Sequence, residues 1–73
     1  MKDNYFEEYK KIGKNIKKIR KEKGISQVKL SELCDCSLSY ISKIEAPKCS
    51  KSFSLDILFR IAEVLEVDVK ELL

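Results

Sequence analysis

The chain has 73 residues, 44% hydrophobic and 37% charged, with only two glycines and one proline. This fits one small, mostly helical core and excludes a disordered tail or a β-sandwich. There are fifteen basic side chains, twelve acidic ones and no histidine, which removes His-based catalytic triads and His metal sites. No apolar run approaches the roughly 20 residues of a membrane span, and the opening MKDNYFEEYKK lacks the apolar stretch of a signal peptide.

Asn4-Tyr5-Phe6-Glu7 has capping-box spacing, with Asn4 as acceptor and Glu7 reaching back. Phe6, Tyr9, Ile12, Ile16 and Ile19 then recur every three or four residues and predict a helix to about Lys23. Gly13 inside it costs about 1 kcal/mol against alanine, which points to a close helix–helix approach. Gly24 ends the helix in the left-handed conformation that glycine tolerates. Ser26 caps a short second helix, Gln27 to Leu33, with Leu30 and Leu33 on one face and Val28 beside them.

Cys34-Asp35-Cys36 is a tight connection, and Ser37 caps a third helix, Leu38 to Glu45, with Ile41 and Ile44 inward. Pro47 disfavours helical geometry at Ala46 and marks the stop. Residues 46–52, APKCSKS, form a polar loop with two lysines. Ser54 caps a fourth helix, Leu55 to Leu65, whose Leu55, Leu58, Ile61, Ala62 and Leu65 make an apolar face. Val67 and Asp68 lead into a last turn, Val69 to Leu73. The expected fold is all-α, a compact five-helix single domain over residues 1–73.

Charge is unevenly spread. Lys10 to Lys23 holds eight basic residues and one acid, Glu22, whereas residues 52–73 hold two basic and five acidic ones. A basic end and an acidic end suggest one surface facing a polyanion and another turned away from it. The cysteines are Cys34, Cys36 and Cys49. An odd number without a signal peptide argues for reduced thiols. Their spacing does not match a metal-binding pair and no fourth ligand is evident, so no metal or cofactor is expected. No nucleophile–base pair or Gly-rich phosphate loop is present, which argues against an enzyme and leaves no catalytic residue to name.

The informative feature is Ser26 to Glu45, two capped short helices around a three-residue turn, the size of a helix-turn-helix. Leu30, Cys36, Ile41 and Ile44 are placed to lock the two helices. The second begins with small or polar residues suited to base edges, and lysines stand beside it for phosphates. The segments Ile16-x-x-Ile19-Arg20, Gly24-Ile25-Ser26-Gln27-x-x-Leu30, Tyr40-Ile41-Ser42-Lys43-Ile44-Glu45 and Leu55…Leu58…Ile61-Ala62…Leu65-x-Val67 together resemble the Cro/phage-repressor (XRE-type) helix-turn-helix family. The resemblance covers roughly Ile12 to Leu72. Ser31 stands where the family usually has alanine, Asp35 where it has the turn glycine, and Pro47 where a glycine follows the recognition helix.

The resemblance implies a sequence-specific transcriptional regulator, a repressor or autoregulator such as a phage repressor or restriction–modification controller. It would work in a bacterial or phage-infected cytoplasm, at the nucleoid. Leu38, Ser39 and Lys43 fall where the family reads bases, although Leu38 could instead be core and Lys43 could hold a phosphate. Gln27, Tyr40, Ser42, Lys17, Lys48 and Lys51 are phosphate candidates, with Gln27 also able to brace a recognition-helix side chain, Tyr40 able to cover the core edge, and Lys14 a further electrostatic one. Arg20 and Glu45 fall where the family forms a partly buried ion pair, and Arg20 could also reach a phosphate. A twofold dimer on a palindromic operator is expected, with Phe59, Val67, Val69, Leu72 and Leu73 as interface, Ile57 beside them, and residues 66–73 as the contact end. The alternative is a protein-interaction module, such as an antitoxin, that binds a partner through the C-terminal face.

Overall fold

A computed structural model describes residues 5–46 and 53–73. Four helices follow in order, α1 (Phe6–Glu22), α2 (Gln27–Leu33), α3 (Leu38–Glu45) and α4 (Leu55–Leu65), with a short 3-10 turn, Val69–Glu71, after them. The expected fifth helix is therefore only that turn. Asp68 closes it at its start as a capping box with Glu71, and the chain then turns Leu72 into the core with no exposed surface. Among the described residues there is no strand, and no helix is long and apolar enough to cross a membrane.

Three of the helices begin on a serine. The Ser26, Ser37 and Ser54 hydroxyls accept the backbone N–H of Lys29, Tyr40 and Ile57 at 3.0, 3.0 and 3.3 Å, each satisfying a donor that the first helical turn leaves over. The cap at the start of α1 is different. Tyr5 occupies the position and makes no side-chain cap bond, while Asn4 lies outside the described residues.

Three helices also end alike. Gly24, Asp35 and Glu66 take left-handed backbone, with φ of 72°, 54° and 59°. After each, the next N–H reaches back five residues: Ile25 to Arg20, Cys36 to Ser31 and Val67 to Ala62, all at 3.0 Å. This is the Schellman closure, in which the residue after the left-handed one packs back on the helix. Ile25, Cys36 and Val67 all pack against the core accordingly. α3 ends without such a closure, Ala46 being extended at ψ 130°, as a residue before proline must be.

The core is Ile16, Leu30, Cys34, Ile41, Ile44, Ile57, Leu58, Ile61, Ala62, Leu65 and Leu72. Several expected core positions differ. Leu33 and Leu55 point outward, because the i+4 neighbour of Leu30 on the inner face is Cys34, and Leu55 sits in the first turn of α4 beyond the packed stretch. Ile57, read as surface, is buried in its own chain's core. Burial pushes the Cys34 thiol up to about 11, with Cys36 beside it adding to the shift, so it packs as a neutral apolar group. Cys36 is only half-buried and its thiol is also raised, again chiefly by burial. Protonated thiols make poor nucleophiles, and Cys49 lies outside the described residues.

Candidate nucleic-acid interface

α3 packs against both α2 and α1. Its inner face, Ile41 and Ile44, is buried, while Leu38, Ser39, Ser42 and Lys43 face outward. Leu38 is 44% exposed, which removes the core reading of that residue. Ser39 and Lys43 lie four residues apart and therefore one turn along the same face. Tyr40 is half-buried and packs on the core edge.

Two contacts set the angle of α3. The first is Gly13, where an added Cβ would collide with the backbone carbonyl of Ile44, so the backbones of α1 and α3 touch there without an intervening side chain. The second is a buried polar cluster. The Arg20 Nε and Nη2 donate to the two Glu45 carboxylate oxygens at 2.7 and 2.9 Å, a bidentate, charge-assisted pair. Arg20 Nη1 donates to the Ile25 carbonyl at 2.7 Å, and the Gln27 amide nitrogen donates to Glu45 Oε1 at 2.9 Å. Every nitrogen of the guanidinium thus has a partner and the side chain is buried. Arg20 is therefore committed within the chain and has little surface to offer a phosphate, which argues against that part of its expected role.

Gln27 ties the start of α2 to the end of α3, and its carbonyl oxygen accepts from the Ser42 hydroxyl at a long 3.5 Å. The bracing expected of Gln27 is therefore a direct contact with Glu45. Ser31, in place of the family's alanine, is buried and donates to the Val28 carbonyl at 2.7 Å, so the extra oxygen is satisfied within α2. Asp35 fills the turn glycine's left-handed position. Residues that the sequence did not single out also help hold the motif. Cys34, at the end of α2, is fully buried in the core, and Arg60 of α4 donates to the Cys34 carbonyl at 3.1 Å. The i, i+4 spacing of Leu30 and Cys34 was the available signal for the first. No sequence signal existed for the second.

Lys17 and Lys14 are exposed on α1, and Lys48 and Lys51 lie outside the described residues. At the other end, Phe59 and Leu73 are 52% and 53% exposed, while Val67 and Val69 are half-buried against the core. Leu72 is not available as an interface residue, because it is fully buried in its own chain and its carbonyl accepts from Asn15 of α1 at 3.0 Å. Among the described residues no cluster of potential metal ligands is present.

A helix-turn-helix family profile matches residues 16–72. The chain is 40% identical over 62 residues to the HTH-type transcriptional regulator SinR of Bacillus subtilis (strain 168) and, equally, to that of Bacillus licheniformis. The match takes in 85% of this chain and 55% of each relative, so the chain spans about half the length of those proteins. It is also similar in structure to the restriction-modification controller protein C.AhdI from Aeromonas hydrophila, with a TM-score of 0.84 and 26% identity over 93% of this chain and all of that one. The family profile, the relatives and the shared architecture agree with one another, and the chain belongs to the Cro/phage-repressor helix-turn-helix family.

Proposed function

We propose that the protein is a sequence-specific, DNA-binding transcriptional regulator that inserts α3 into the major groove. The observation that carries this is the contrast between the two sides of α3. Ile41 and Ile44 are buried, and Arg20 with Gln27 holds Glu45, while Leu38, Ser39 and Lys43 are exposed to solvent. Leu38 suits a thymine methyl, Ser39 either partner of a base edge, and Lys43 the O6 and N7 of guanine. Gln27, Tyr40, Ser42 and Lys17 supply phosphate contacts, joined by Lys48 and Lys51, which follow α3 in the sequence.

The chain works as a twofold dimer through the exposed Phe59 and Leu73 and the half-buried Val67 and Val69. Two recognition helices then enter successive major grooves about 34 Å apart, and the operator is palindromic. Regulation follows from occupying a promoter, in keeping with relatives named as a transcriptional regulator and a restriction-modification controller.

Selection of bound duplexes from a random pool at physiological salt tests this. The wild-type chain is expected to return a palindromic consensus. Lys43→Ala is expected to relax one base position in each half-site, with a loss on the order of 1 kcal/mol of discrimination there. Recovery of no consensus by the wild type would refute the reading and favour a protein partner on the C-terminal face.

A further inference from the structure

α1 carries more positive charge than the recognition motif uses. Lys10, Lys14 and Lys17 line one cavity with Glu45. Their spacing of four and three residues puts them in a single stripe along the helix, beside the Gly13–Arg20 edge by which α1 meets α3. All three are exposed. The one acid among the described residues of the cavity is already neutralised, since Glu45 is held by Arg20 and Gln27. Among the described residues no carboxylate forms an ion pair with any of the three lysines.

Lys10 and Lys14 also lie ahead of Ile16, where the family profile begins. This leading part of α1 is not a loose arm. The Tyr9 ring meets Phe53, just before α4, edge-on with centroids 5.1 Å apart, so the lysines project from anchored backbone. Lys10 to Lys17 covers about 10 Å of helix axis. A duplex strand repeats its phosphate charge along its whole length, so a row of this length can face more than one phosphate at a time. A small free anion would meet only part of a charge row strung out in this way.

We infer that Lys10, Lys14 and Lys17 form a second phosphodiester track that grips the DNA backbone beside the groove occupied by α3. It adds affinity without adding sequence preference. The inference rests on the DNA-binding reading above. The lysine row lies beside Glu45, which Gln27 ties to α2 and, through its carbonyl oxygen, to Ser42 on the outward face of α3.

The test compares the wild type, K10Q/K14Q and K10R/K14R on two duplexes, one bearing the selected consensus and one of scrambled sequence. Affinity is measured as a function of salt. Losing two phosphate contacts lowers the slope of log K against log salt by about 1.8. The glutamine variant is expected to show that drop on both duplexes, with an unchanged selected consensus, and the arginine variant to keep the wild-type slope. An unchanged slope in K10Q/K14Q, an equal drop in K10R/K14R, or a drop confined to the consensus duplex overturns the track and leaves α3 as the reader. Failure of the wild type to bind either duplex overturns both readings.

Discussion

Glu45→Ala is expected to destabilise the domain by about 3–5 kcal/mol, the cost of leaving a buried charge without its partner. Glu45 accepts three hydrogen bonds, two from Arg20 and one from Gln27, in a site almost closed to solvent. Its loss strands a guanidinium that is itself buried. Domains of this size are stable by about 5–15 kcal/mol, and each kcal/mol moves the midpoint by about 4–8 °C. A thermal melt followed by circular dichroism should therefore show a fall on the order of 15–30 °C. R20M/E45M, which removes both charges and keeps the volume, is expected to lose less than Glu45→Ala alone. A small shift in the single variant, or a double variant that is worse, would mean that the pair does not hold α1 to α3.

Gly13→Ala sets two effects of opposite sign against each other. In an exposed helix interior the substitution gains about 1 kcal/mol from propensity. Here the added Cβ runs into the Ile44 carbonyl, a backbone group that cannot rotate away. Overpacking of this kind costs about 1–3 kcal/mol and sometimes more, so the expected net result is destabilisation, read as a lower urea midpoint with an unchanged slope. DNA binding should weaken too, because separating α1 from α3 re-aims the recognition helix. A stabilised variant would show that the two helices do not touch there.

Gly13 and Gly24 were both legible in the sequence because each occupies a position that favours glycine, one for lack of a Cβ and one for positive φ. The serine caps were legible for a similar reason, since each bonds within its own first turn. The misread positions depend on partners distant in the chain. Leu55 and Ile57 both sit on an amphipathic helix, and only the placement of α1 and α2 decides that the first is exposed and the second buried. Leu72 had the pattern of an exposed apolar end, yet the 3-10 turn before it folds the chain back and Asn15 fastens its carbonyl. Glu66 gave no sign of its left-handed backbone, because glutamate is not a residue that usually adopts it. The Arg20–Glu45 pair came from the family resemblance alone. Neither residue announces a partner twenty-five positions away.

Contact between the outer face of α3 and DNA is read from backbone amide shifts as the labelled chain is titrated with the selected duplex. The largest changes are expected at Leu38, Ser39, Ser42 and Lys43, with Gln27 following them. Amides of α3 that stay in place while Phe59 and Leu73 move would contradict it.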